Sequence, residues 1–219
     1  MERLQEKVSA LTRLLGVPDD LDCLSVLALG YRQGFPRLKA MKTPTNYYDL
    51  PLERRPSLLD PCPSTAFLIK SIVLENTKAP LDARAPIFSR YYLILVQYVR
   101  RFSSARFHTA MRQLARTDPN YANLTKNDFT WRFADEETAT ALTGAPHNGI
   151  GPIGLRTPIP VVVDAAILEL PYVWVGGLEP TTKVMVSVSD LSHILQPIII
   201  NCADNANSDA NTPESVQRE

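Results

Sequence analysis

Apolar residues recur along the chain in two rhythms, and the change from one to the other divides it. Leu4, Val8, Leu11 and Leu15 stand four, three and four residues apart, a spacing that puts one apolar stripe on a helix closed by Gly16. Coiled coils share this spacing, but two heptads are too few for a zipper; the stripe is expected to pack on the protein's own body, with a partner helix as the alternative. Residues 19–29 read as a second short helix, and the Pro- and Lys/Arg-rich piece up to Asn46 reads as irregular. Asp49 is expected to cap a short helix running to Arg55, with Pro51 in its first turn. Too few apolar residues are present for a separate core, so residues 1–62 read as a helical N-terminal extension.

From Phe67 the rhythm becomes that of strands. FLIKSIVLE and RYYLILVQYV are β-branched and aromatic runs of strand length, separated by a polar, Pro-containing connection over residues 76–89. Ser103 or Ser104 should cap a helix reaching about Arg116, with Phe107, Met111 and Leu114 on its inner face. Residues 129–133 alternate as a short strand, and Asp135, Glu136 and Glu137 suit the positive end of a helix that stops at Gly144. Beyond it, residues 159–163, 172–175 and 183–188 read as strands, residues 164–168 as a helical turn, and residues 190–195 as a last helix capped by Ser189. Many strands with short helices between them predict an α+β fold with a mixed, mainly antiparallel, barrel-like sheet surrounded by short helices, over residues 63–200. The stretch 201–219, rich in Asn, Asp, Ala and Ser, reads as a disordered tail.

Composition changes this picture little. Of 219 residues, 45% are hydrophobic and 21% charged, ordinary for a soluble chain that buries a core. Basic and acidic residues balance at 23 each, so any electrostatic argument must be local. Cys23, Cys62 and Cys202 are far apart and in no CxxC pairing, which argues against a disulfide framework and for a reducing compartment. The N-terminus resembles neither a secretory signal nor a transit peptide, and no apolar run approaches the length of a bilayer span. A cytoplasmic protein is expected, with no membrane partner.

Three features carry candidate chemistry. The stretch TGAPHNGIGPIGL, residues 143–155, is dense in Gly and Pro; it reads either as a long surface turn or as a cradle whose N–H groups converge on an anion or a carbonyl oxygen. Lys70 is the single charge between Phe67 and Leu74, and period-two alternation sets it with Leu68, Ile72 and Leu74. Such a lysine is paired, neutralised or aimed at a ligand, unless it snorkels out at the strand end. From Arg90 to Arg132 the basic residues, Arg100, Arg101, Arg106 and Arg112 among them, face only Asp118 and Asp128; the run is either a solvated helix face or a track for a phosphate backbone. The three histidines have no ligand spacing, and GxSxG, GxGxxG and GxxxxGK[ST] are absent, so neither a metal nor a cofactor is expected.

The order of features is more specific than any one of them: AFLIKSIVLEN, RYYLILVQYV, RFADEETATALTG, HNGIGPIGL, PIPVVVDAAILEL and VWVGGLEPTTKVMVSVSDL. Over about residues 64–197 this series resembles the YbaK and prolyl-tRNA synthetase-associated editing-domain family, whose members hydrolyse wrongly charged aminoacyl-tRNA. The resemblance makes Lys70 the catalytic lysine beside the 3′-terminal adenosine. It makes Gly149, Gly151, Pro152 and Gly154 the wall that holds the aminoacyl ester, with His147 and Asn148 beside them. Asp164 corresponds to the aspartate after the core strand, and Gly176 and Gly177 to the glycines beside the pocket. The sequence departs from the family pattern twice: Asn148 stands where a glycine usually precedes the loop proline by four residues, and Thr182 where some members have histidine. Asn is among the few non-glycine residues that tolerate the left-handed region, so the loop shape can survive. The Thr182 departure leaves no side-chain base, and the resemblance implies that a hydroxyl of the substrate serves instead.

The resemblance thus implies a freestanding deacylase acting on tRNA that carries a small wrong amino acid, with alanine, serine and cysteine as candidates. The implied partners are the aminoacylated 3′ end of tRNA and an aminoacyl-tRNA synthetase or synthetase complex. The alternative from another class is a non-catalytic tRNA-binding or multi-synthetase-complex subunit that docks through its N-terminal helix.

Overall fold

The computed structural model describes residues 20–205; the expected helix of residues 4–15 and residues 206–219 of the expected tail lie outside them. In chain order the elements are α1 (Leu21–Arg32), β1 (Leu38–Lys42), β2 (Ile69–Asn76), β3 (Tyr91–Gln97), β4 (Arg100–Phe102), α2 (Ser104–Thr117) and β5 (Trp131–Phe133). There follow α3 (Glu136–Thr143), β6 (Val161–Asp164), β7 (Tyr172–Gly177), β8 (Glu179–Ser187), α4 (Val188–Leu195), β9 (Ile198–Ile200) and β10 (Ala203–Asn205).

Five strands form the larger sheet in the order β5-β2-β3-β6-β9, antiparallel from β5 to β3 and parallel from β3 to β9. The smaller sheet, β1-β8-β7, is antiparallel throughout, and β4 with β10 makes a separate ribbon. A parallel bridge between Leu68 and Trp174 brings the start of β2 beside β7. The fold is therefore α+β with mixed, mainly antiparallel pairing, as the strand pattern predicts, although the sheets remain open and do not close into a barrel.

The burial pattern explains why the central strands read as continuous apolar runs. One face of the larger sheet, through Val73, Leu93 and Leu95, packs against Val173, Val175, Val184 and Val186 of the smaller sheet and against Cys23, Val26 and Leu27 of α1. Its other face, through Leu74, Tyr92, Ile94 and Val96, packs on Phe107 and Met111 of α2. A strand buried on both faces has no polar position to spare. Ser103 caps α2 by accepting from the Arg106 amide, and α2 ends at Thr117, close to the expected position. The last helix starts two residues earlier than Ser189 predicts, because Ser187 accepts from the Asp190 amide.

The largest difference between expectation and structure lies before residue 62. Residues 38–42, expected to be irregular, form β1, with Ala40 opposite Val184 and buried, while Lys39 and Lys42 reach exposed ion pairs. A five-residue strand with two lysines and no β-branched residue lacks the usual strand signature and is hidden from a propensity reading. Asp49 caps no helix; residues 47–58 make three single 3-10 turns, Tyr47–Asp49, Leu52–Arg54 and Pro56–Leu58. Pro51 and Pro56 remove the donors that a longer helix would need. Residues 20–62 do not project from the rest, since Cys23, Val26, Leu27, Phe35 and Ala40 belong to the core shared by both sheets.

Candidate functional site

The Gly/Pro loop is delivered by α3. Asp135 accepts from the Thr138 amide at the start of the helix, and Gly144, at φ 78°, ends it in the left-handed region. The chain then lies directly on the turn between β7 and β8. A Cβ on Gly151 would fall 1.9 Å from the Gly176 carbonyl oxygen, one on Gly176 2.2 Å from the Ile150 carbonyl oxygen, and one on Gly149 2.6 Å from the Leu178 carbonyl oxygen. Only glycine permits this backbone-on-backbone contact. The Leu178 amide donates to the Gly149 carbonyl at 2.9 Å, and the Gly149 amide to the Pro146 carbonyl at 2.9 Å.

Asn148, at φ 67°, holds a left-handed conformation, as its place in the loop predicts, and Leu178 across the contact does so at φ 75°. Pro152 is buried, His147 is exposed, and Gly154, at φ 77°, donates to the Gln33 side chain of the segment after α1. Gly177 lies over Thr182, whose buried hydroxyl has no hydrogen-bond partner among the described residues. The loop thus brings Asn148, Gly149 and Gly151 together with Gly176, and it leaves the amides of Ile150 and Gly151 without a protein acceptor among the described residues. Unpaired backbone N–H groups can receive an anion or a polarised carbonyl oxygen.

Lys70 approaches from β2. It is half-buried opposite Val96, and both Lys70 and Gly176 lie two residues beyond the Leu68–Trp174 bridge along their strands. Its ammonium makes no hydrogen bond or ion pair among the described residues. Burial, and then the Arg101 guanidinium, hold its pKa below the usual lysine value. A cation kept near another cation, without a carboxylate, is a ready partner for an anionic group.

A second lysine was not legible as a site residue. Lys183 of β8 pairs with Gly176 of β7 and with Met41 of β1, and it is 5% exposed. Its Nζ donates to the Pro180 carbonyl at 2.7 Å, the Tyr48 hydroxyl at 2.9 Å and the Asn148 carbonyl at 3.4 Å. The Tyr48 hydroxyl in turn donates to the same Asn148 carbonyl at 2.7 Å. Arg55 lies over the rings of Tyr47, Tyr48 and Tyr98, and Lys183 over those of Tyr47 and Tyr48. Burial, and then Arg55, lower the Lys183 pKa to about 7. The signal was present: Lys183 is the one charge in the alternating stretch 183–188, the same pattern that singles out Lys70 between Phe67 and Leu74.

Other expected site residues are engaged elsewhere. Asp164 has no exposed surface; it caps the turn Ala165–Glu169, accepts from the Cys202 amide at 2.9 Å and pairs with Arg100 at 3.2 Å. It fastens the end of β6 to the segment before β10 and offers a ligand no free oxygen. Arg100 also bonds the Ala203 carbonyl and the Asn205 side chain, and Arg106 pairs with Asp204, so both tie down β10. Arg101 remains exposed beside Lys70, and Arg112 stands by His108, whose pKa is lowered by burial and then by Arg112. No helix among the described residues is long and apolar enough to cross a membrane, and no group of three or more His, Cys, Asp or Glu side chains among them could hold a metal ion.

The glycine loop packed on the β7–β8 turn and the half-buried Lys70 sit within an α+β domain of mixed sheets. The profile of the aminoacyl-tRNA editing domain family matches residues 62–194, and the chain belongs to that family. Among solved structures, a candidate trans-editing enzyme for prolyl-tRNA synthetase is similar at TM-score 0.65 and 20% identity, covering 85% of this chain and 99% of that one. A scaffold protein used for epitope backbone grafting by computational design is similar at TM-score 0.64 and 20% identity, covering 84% and 99%. The hypothetical protein APE2540 is similar at TM-score 0.59 and 19% identity, covering 82% and 99%. At such identities the likeness establishes the fold. No curated protein sequence matches the chain significantly.

Proposed function

We propose that this protein is a freestanding aminoacyl-tRNA deacylase that edits in trans, hydrolysing the ester between tRNA and a small wrong amino acid. Membership of the editing family supports the substrate class. The single observation that carries the chemistry is the contact of residues 149–151 with residues 176–178, which leaves the Ile150 and Gly151 amides free to receive an oxygen. In the reaction the oxygen of a water bonds to the ester carbonyl carbon, negative charge develops on the carbonyl oxygen, the ester C–O bond breaks and the ribose hydroxyl leaves with a proton. Each oriented N–H donor is worth about 3 kcal/mol toward the oxyanion. Lys70, with Arg101 beside it, holds a phosphate or hydroxyl of the terminal nucleotide and so fixes the ester against the loop. The attacking water passes a proton to a hydroxyl of the substrate, which hands its own proton to the leaving ribose oxygen.

Alanine, serine and cysteine are the proposed amino acids. The solved trans-editing neighbour supports a tRNA whose mischarging arises at a synthetase, and such a synthetase is the proposed macromolecular partner. A deacylation screen of the full-length protein against tRNAs charged with alanine, serine, cysteine and larger amino acids tests the reading. Release of at least one small amino acid well above the spontaneous rate is expected; no release from any of them overturns it.

A further inference from the structure

The segment ahead of the matched family region reaches into the loop, and it does so through a buried cation that has no acidic partner. Tyr48 lies outside residues 62–194, yet its hydroxyl donates to the Asn148 carbonyl at 2.7 Å. Lys183 supports that hydroxyl at 2.9 Å and reaches the same carbonyl at 3.4 Å, so two donors converge on one peptide oxygen of a residue in the left-handed region. The peptide unit is planar, so fixing the Asn148 carbonyl also fixes the Gly149 N–H, which points to the Pro146 carbonyl. The next peptide plane, which carries the Ile150 N–H, is held by the Leu178 amide on the Gly149 carbonyl, so two consecutive planes of the loop are fixed.

Burying an ammonium without a carboxylate is costly, and an apolar side chain of similar size would satisfy packing alone. Lys183 instead spends its three protons on the Tyr48 hydroxyl and on the Pro180 and Asn148 carbonyls. We propose that Tyr48 and Lys183 form a clamp on the Asn148 carbonyl that positions the editing loop, making the segment around Tyr48 part of the site. This inference rests on the deacylase reading for its effect on rate, but the clamp itself can be observed without any activity.

The groups facing Lys183 are the Tyr47 and Tyr48 rings, the Arg55 guanidinium and, behind Tyr48, the Tyr98 hydroxyl, with Cys62 next to Tyr47. No acid among the described residues pairs with it. A neutral amine has two protons for three acceptors, and the 3.4 Å contact with Asn148 is the weakest of them. The clamp therefore loosens as pH rises through about 7, where Lys183 loses its proton.

The test compares wild type with Tyr48→Phe, Lys183→Met and Lys183→Arg in two measurements on the full chain. In amide hydrogen exchange, Tyr48→Phe and Lys183→Met should speed exchange at Gly149 and Leu178 at least tenfold, with β3 amides unchanged. In deacylation of a mischarged tRNA over pH 6 to 8.5, both should lower kcat at least tenfold with KM within threefold. Lys183→Arg, cationic throughout, should restore most of kcat and remove the wild-type loss of rate above pH 7, corrected for spontaneous hydrolysis. Unchanged exchange at Gly149 and Leu178 in Tyr48→Phe overturns the clamp whatever the rates. Faster exchange in a protein that deacylates nothing leaves the clamp standing and removes the deacylase reading.

Discussion

Two lysines, Lys70 in β2 and Lys183 in β8, carry opposite balances of burial and bonding. Lys70 is half-buried with Arg101 as its charged neighbour, and Lys183 is buried with three acceptors. Because Lys70 contributes no bond to the fold, Lys70→Ala should abolish deacylation while leaving the denaturation midpoint unchanged or raised, a trade of stability for activity common at functional sites. A variant that clears its substrate at the wild-type rate rules out the role given to Lys70. Lys183 predicts a pH dependence of stability. Its pKa in the folded protein, about 7, lies below the ordinary 10.5, so between those values the unfolded chain binds a proton that the folded protein does not. Stability should therefore rise with pH across that window in the wild type, and the rise should be missing from Lys183→Met; equal slopes in the two proteins would contradict the burial argument.

At the scale of elements, the site is the meeting of a helix end, a loop and a hairpin. Gly144 ends α3 at φ 78°, so Gly144→Ala strains the turn that launches the loop and should cost about 1 kcal/mol, read from denaturant unfolding. Gly151→Ala meets the Gly176 carbonyl at 1.9 Å, where neither backbone can yield cheaply; a loss of about 1–3 kcal/mol is expected together with loss of deacylation. A Gly151→Ala protein with wild-type rate would show that the contact is dispensable. These elements were legible because each has a local cause. Asp135 and Gly144 mark the ends of α3, glycines mark the close approach, and long β-branched runs mark β2 and β3. What could not be read was pairing between distant segments: nothing near Tyr48 in sequence indicates that it touches Asn148, and nothing near Asp164 indicates that Cys202 and Arg100 consume its oxygens. β1 stayed hidden because its stability comes from β8, across most of the chain.

Across the whole molecule, the family region borrows its closure from residues that precede it. β1 covers the edge of β8, and α1 supplies Cys23, Val26 and Leu27 to the core between the sheets. A fragment limited to residues 62–194 would expose both the edge and that core. It should show no cooperative thermal transition, whereas residues 20–205 should unfold in a single one; a cooperative transition in the fragment would mean that the family region is self-sufficient. The pairing of Leu38 with Val186 has a further consequence for the chain as it is made. On the ribosome, β1 emerges long before β8, its hydrogen-bonding partner, so this strand must wait with its N–H and C=O groups open to other chains. Lys39 and Lys42, which pair with Asp60 and with Asp20 and Asp22 in the finished fold, keep that waiting strand charged and discourage its premature association.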